Sequence, residues 1–216
     1  TEAEMSARRR ILHCEEAVAD ESRRQEANIA AAMQSAGRKG CLTSTATVNP
    51  VNVEEAVCGF LSVAGANIGG AEIPMARCIA PHIEAESAVG TKRELKGPGC
   101  HLAQVLAAID VVMPAVEVLD SRYENFRFDL ISVVADNTSA AGFVTGGRAR
   151  QLQDLDLPTL GMVVEKNGKI VELGAGAAVL GHPAESVAMM ANRIGRRGAV
   201  LPAGTSIVNG DIAPAV

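Results

Sequence analysis

Carboxylates sit inside apolar, strand-like sequence at two places in this chain. Glu84 and Glu86 fall in IEAE, and Glu117 lies in the middle of PAVEVLD. On a strand, residues two apart project from the same face, so Glu84 and Glu86 present both carboxylates to one side of a sheet. Glu117 belongs to a run that would not tolerate an unpaired charge in a sheet interior. Three carboxylates around one point repel unless a cation neutralises them, and all-oxygen ligation favours a hard divalent ion such as Mg²⁺ or Mn²⁺ over zinc. Spacing alone leaves the alternatives open: such glutamates also occur on solvated strand faces or paired with arginine.

The pattern around these segments predicts one α+β domain. Residues 1–36 are rich in Ala, Glu, Arg and Gln with no Pro or Gly, which reads as an N-terminal helical arm. Their apolar positions are sparse, so the arm is expected to pack onto a larger body at 37–216. Within that body, 101–110 reads as a short helix, 111–120 as a buried strand and 130–136 as a further apolar segment. Lys166, Asn167, Gly168 and Lys169 lie between two β-rich runs, a strong hairpin signal. Residues 182–198 read as a helix with Pro183 in its first turn, Val187, Met190, Ala191 and Ile194 on one face, and Gly198 as its stop. The segment 201–212 opens another strand, and the core is expected to be a mixed or antiparallel sheet.

Composition narrows the function classes. A 48% hydrophobic content in 216 residues is enough for a sizeable core. The net charge of −5 argues against a nucleic-acid partner, because phosphate binding needs a concentrated basic surface. One Tyr, four Phe and no Trp leave little surface for stacking bases or sugars. Five scattered cysteines with no CxxC pair indicate neither a disulfide framework nor a zinc site, and a cytoplasmic setting is expected. Apolar stretches are interrupted well before the ~20 residues of a membrane span, so no membrane partner is expected.

At the glutamates the sequence resembles the 2-oxopent-4-enoate hydratase and 4-oxalocrotonate decarboxylase branch of the fumarylacetoacetate hydrolase superfamily. The likeness runs through IEAE, TKRELKGPGCHLAQVLAAIDVVMPAVEVLDSRYENF, ADNTSAAGFVTGG and LGMVVEKNGKIVELGAGAAVLGHPAESVAMMAN, in order and spacing. It is dense over about 79–208 and thin over 37–60, and DSRYENFRFDLISVVADN is similar to the decarboxylases rather than the hydratases. The resemblance implies a fumarylacetoacetate hydrolase-like mixed-sheet or β-roll core. It implies Mg²⁺ or Mn²⁺ held by Glu84, Glu86 and Glu117, with a 2-oxo dicarboxylate chelated through its 1-carboxylate and 2-oxo oxygens. The implied reaction is decarboxylation of 2-oxo-3-hexenedioate to 2-hydroxypenta-2,4-dienoate. The alternatives are hydration of that dienoate, or a weakly active structural partner of the hydratase.

The same resemblance makes Lys39, in GRKGCLTS, the candidate charge that binds or protonates substrate, and Ser139, in ADNTSAAGF, a candidate hydrogen-bond donor to the substrate carboxylate. It also implies a supporting Asp120–Arg122 ion pair, a structured turn at Asp136 and Asn137, and homo-oligomers, with a hydratase complex as a further expectation. His101 and His182 read as helix-entry residues, and His82, although two residues before Glu84, reads as a residue without a role at the metal. Three departures stand out. Ser62 and Val63 occupy a region where the family often carries an acidic residue near the lysine, which leaves Lys39 without that partner. NGDIAPAV replaces a small-residue turn. The C-terminal strands look truncated, which would put the strand at 206–208 near an unpaired sheet edge.

Overall fold

The computed structural model describes residues 35–41, 43 and 57–216, so 1–34 of the expected arm lie outside the described residues. Among the described residues there are nine strands: β1 (Ser35–Cys41), β2 (Val57–Ser62), β3 (Ala66–Ile68), β4 (Pro81–Thr91), β5 (Ile109–Asp120), β6 (Ala140–Thr145), β7 (Gly161–Lys166), β8 (Lys169–Ala175) and β9 (Ser206–Asp211). Three α-helices of the described residues accompany them: α1 (Leu102–Ala108), α2 (Leu130–Ala135) and α3 (Pro183–Gly195). Seven strands form one mixed sheet in the order β2-β1-β9-β4-β5-β6-β3, and β7 and β8 form a separate hairpin. The β1–β9 and β3–β6 contacts are parallel and the rest antiparallel.

Local chemistry accounts for most of these elements. Asn167 and Gly168 take positive φ of 55° and 75°, the conformation that a two-residue hairpin turn demands. Helix α3 starts at Pro183, and the His182 ring caps it by accepting from the Ala184 N–H at 3.0 Å. Asp129 caps α2 through the Ser132 N–H at 2.8 Å, so the apolar segment at 130–136 turns into a short helix burying Val133 and Val134.

Alternation along β4 divides the interior. Val89 points to the face covered by α1 and α3, where it meets Val105, Ile109, Val187, Met190, Ala191 and Ile207. Burial of a side chain such as Met190 or Val187 is worth about 1.5–3 kcal/mol. Ala88 points to the opposite face, where Leu61, Ala115, Phe143 and Val208 form a second apolar cluster. Glu84 and Glu86 have the parity of Ala88, and Glu117 that of Ala115, so the carboxylates belong to this second face.

Strand β9 corrects one expectation. The segment 206–208 is not at an edge: β9 lies between β1 and β4, with Lys39 beside Val208 and Val89 beside Ile207. The parallel contact to β1, which joins segments far apart in sequence, gives β9 its second neighbour. Beyond β9, Ile83 and Val216 exchange both backbone hydrogen bonds at 3.0 Å.

Candidate metal centre

Adjacent antiparallel strands set the geometry of the acidic site. Glu84 on β4 stands directly opposite Glu117 on β5, and Glu86 lies two residues along on the same face. The three offer ligand oxygens all within 4.8 Å of one another. Their side chains are sequestered, Glu84 at 7% exposure and Glu86 and Glu117 at 0%. Glu86 Oε1 and Glu117 Oε2 are buried without a hydrogen-bond partner. Orphaned acceptor oxygens in a cluster of like charges fit a hard cation, since buried polar atoms are otherwise satisfied.

Lys39 arrives from β1, across β9. Its ammonium pairs with Glu117 Oε1 and donates to the Thr138 carbonyl at 3.3 Å, and its side chain is fully buried. Burial pulls the Lys39 pKa down, but the negative charge of Glu117, with Cys41 and Glu84, more than reverses this and keeps the group protonated. Lys39 therefore has an acidic partner despite Ser62 and Val63. The partner comes from β5 and not from the residues after Leu61.

The carboxyl pKa values are raised as well. Burial, then the charges of Asp211 and Glu117, push Glu84 up to about 8. Burial, then Glu117 and Glu84, raise Glu86 well above the usual range. Glu117 is raised by burial and held back by Lys39. One buried lysine among these carboxylates leaves the site short of positive charge.

Ser139 lies in a turn where Asn137, Thr138 and Ser139 all take positive φ, at 53°, 55° and 58°. Such backbone costs of order 1–3 kcal/mol per residue and persists only where its surroundings impose it. Asn137 exchanges hydrogen bonds of 3.0 Å with the backbone N–H and carbonyl of Phe60. Ser139 Oγ donates to Asp136 Oδ2 at 3.2 Å. The turn expected at Asp136 and Asn137 is thus present, and it aims the Thr138 carbonyl at Lys39.

The expected Asp120–Arg122 side-chain pair is absent. Arg122 Nε bonds the Asp136 carboxylate at 2.5 Å, and its Nη1 donates to the backbone carbonyls of Asp120 at 2.9 Å and Ala140 at 3.5 Å. The Asp120 carboxylate instead accepts from the Ile79 and Ala80 N–H groups at 2.8 Å. The His82 ring packs edge-on against Phe126 with centroids 4.5 Å apart. A cavity of about 180 Å³ borders the turn, lined by Phe60, Ser62, Arg122, Asn137, Ala140 and Phe143 among others.

Sequence reasoning missed Asp211 and Thr43. Asp211 stands opposite Glu86 across the β4–β9 pair, is 1% exposed, and accepts from Thr43 Oγ1 at 3.1 Å.

No family model matches the sequence. The chain is 56% identical over 180 residues to the 4-oxalocrotonate decarboxylase of Pseudomonas putida, covering 83% of this chain and 68% of that protein. It is 40% identical over 174 residues to a 2-hydroxypent-2,4-dienoate hydratase of Pseudomonas putida, covering 80% and 78%. The solved 4-oxalocrotonate decarboxylase from Pseudomonas putida G7, complexed with magnesium and adipate, superposes with a TM-score of 0.91 at 51% identity, over 94% of this chain and 77% of that one. A fumarylacetoacetate isomerase/hydrolase-type protein from Oleispira antarctica, at 17% identity and TM-score 0.56 over 83% of this chain and 82% of that one, shares the fold alone.

Proposed function

This chain belongs to the 4-oxalocrotonate decarboxylase family, within the fumarylacetoacetate hydrolase-like fold, and on that footing we propose that it decarboxylates 4-oxalocrotonate (2-oxo-3-hexenedioate) in a Mg²⁺- or Mn²⁺-dependent reaction. The observation that carries the reading is the convergence of Glu84, Glu86 and Glu117 in a chain 56% identical to a decarboxylase.

The C5–C6 bond of the substrate breaks and CO₂ leaves. The electron pair moves through the conjugated C3–C4 system to the C2 oxygen, which takes a proton to give 2-hydroxypenta-2,4-dienoate. Glu84, Glu86 and Glu117 would hold the cation, which when bound supplies positive charge against the charge developing at the C2 oxygen. Lys39 is the candidate proton donor. Its Nζ is held between Glu117 and the Thr138 carbonyl, and its burial keeps water away from that charge. Ser139 is the candidate donor to a substrate carboxylate, exchanging its present bond to Asp136 for one to the substrate.

Hydration of 2-hydroxypenta-2,4-dienoate is the second reading, supported by the 40% identical hydratase. Assembly is part of the proposal. Val163 and Leu173, cross-strand neighbours on the β7–β8 hairpin, are 56% and 64% exposed, and Ile170 is 60% exposed, an apolar surface suited to a second copy or a hydratase paralogue. No helix among the described residues is long and apolar enough to cross a membrane. A cytoplasmic site of action belongs to the same reading.

Incubation of the purified protein with Mg²⁺ and 2-oxo-3-hexenedioate is expected to release CO₂ and accumulate the dienoate. Consumption of the dienoate with no CO₂ from the dicarboxylate would replace the decarboxylase by the hydratase.

A further inference from the structure

Simple alternation along β9 would place Asp211 on the face of Ile207, under α3. The observed register does otherwise. Glu86 pairs with Asp211 and Ala88 with Val208, so β9 advances three residues where β4 advances two. The extra residue is a β-bulge, and it turns Asp211 to the face shared by Val208, Glu86 and Glu84. Gly210 makes the bulge at φ 118°, and a Cβ there would lie 2.0 Å from Thr43 Oγ1. The Gly210 N–H also donates to Glu86 Oε2, which ties the bulge to the acidic site.

Thr43 divides the two oxygens of Asp211. Both of its donors address Oδ1, the hydroxyl at 3.1 Å and the backbone N–H at 3.4 Å. Oδ2 is buried with no partner. A bare carboxylate oxygen fixed beside three other acidic groups is costly unless something positive or hydrogen-donating meets it. Asp211 stands opposite Glu86 but is not among the groups whose ligand oxygens all lie within 4.8 Å of one another, so it is set back from the trio. Mg²⁺ sheds its water reluctantly, so a carboxylate set back from the ligands is an acceptor for that water as well as an added charge.

We propose that Asp211 is a fourth carboxylate of the centre, a positioning residue that raises its affinity for the divalent cation. The inference rests on the reading that Glu84, Glu86 and Glu117 hold that cation. Calorimetric titration of the chelator-stripped full chain with Mg²⁺, repeated with Mn²⁺, separates the two. Asp211→Asn keeps the side-chain shape and is expected to weaken binding by ~10- to 100-fold, the usual effect of losing an outer carboxylate. The same variant should melt no lower than the parent in EDTA, because a repelling buried charge has gone. Affinity indistinguishable from the parent, or a lower melting point in EDTA with unchanged affinity, overturns the role of Asp211.

Thr43→Val carries the test if Asp211→Asn does not fold. It leaves the charge and the backbone N–H bond but takes the hydroxyl from Oδ1, and should weaken Mg²⁺ binding in the same direction by a smaller factor. Unchanged affinity in that variant overturns the proposal. Failure of the parent chain to bind either cation overturns the metal-centre reading itself. Tight parental binding with unaltered variants overturns only the part played by Asp211.

Discussion

Lys39 and Glu117 form an ion pair in which neither side chain retains any solvent exposure. Their segments are far apart in sequence, and the pair spans from β1 to β5 across β9 and β4. It places a positive charge beside the carboxylate that also belongs to the trio.

Replacing Lys39 by Met keeps the volume and removes that charge. Breaking a buried pair by removing one partner costs about 3–5 kcal/mol. The metal-free variant should unfold at markedly lower denaturant than the parent, and Mg²⁺ should recover part of the loss by supplying charge to the same cluster. Urea titrations with and without Mg²⁺ check this. Equal midpoints for parent and variant in EDTA would contradict the role given to the pair.

The acidic site also sets a pH dependence. Burial, with Asp211 and Glu117 nearby, pushes Glu84 up to about 8 from an ordinary value of 4.5. The proton is thus bound more tightly in the folded chain. This contribution to stability is fully present below about 4.5 and is lost as pH rises through about 8. A divalent cation takes the proton's place and favours the ionised form. The rise in melting temperature produced by Mg²⁺ should therefore grow between about pH 4.5 and about pH 8, the window set by these two values. A Mg²⁺-induced shift that is constant across the window would contradict the assignment.

The two-residue period of a strand puts Glu84 and Glu86 on one face, and a charge in an apolar run singles out Glu117, but only the family resemblance favours a metal over solvated or arginine-paired glutamates. Asn167 and Gly168 dictate the hairpin, and Pro183 with the spacing of Val187, Met190, Ala191 and Ile194 dictates α3. The rest depends on strand order, which no local pattern encodes. Only the insertion of β9 between β1 and β4 brings Thr43 and Asp211 to the glutamates, and only the bulge at Gly210 turns Asp211 toward them. The partner of Arg122 was misread for a related reason. Asp120 is nearer in sequence, but its carboxylate is taken by the Ile79 and Ala80 N–H groups, while α2 returns Asp136 to the guanidinium.

Asp136 holds the strained turn and accepts from Arg122 Nε and Ser139 Oγ. Asp136→Ala would leave these donors without their acceptor, and a loss of about 1–3 kcal/mol is expected for such an unsatisfied buried group. Because Arg122 is 42% exposed, water replaces part of its bond and the lower end of that range is expected. Turnover should fall as well, since the Thr138 carbonyl would no longer be fixed against Lys39. Stability within error of the parent, with full activity, would remove the Arg122–Asp136–Ser139 network from the account.

Chelation tests the cation without altering the chain. Exhaustive treatment with EDTA should silence CO₂ release, and Mg²⁺ or Mn²⁺ should restore it. Full activity in the stripped protein would contradict the metal dependence.

The central claim is that Glu84, Glu86 and Glu117 together hold the cation that drives decarboxylation, and the kcat/KM of Glu117→Gln for Mg²⁺-dependent CO₂ release tests it most directly. The amide keeps the shape of the side chain and removes one negative ligand, so a loss of order 10²-fold or more is expected with an unchanged circular dichroism spectrum. A folded Glu117→Gln protein that turns over 2-oxo-3-hexenedioate as fast as the parent would contradict the claim.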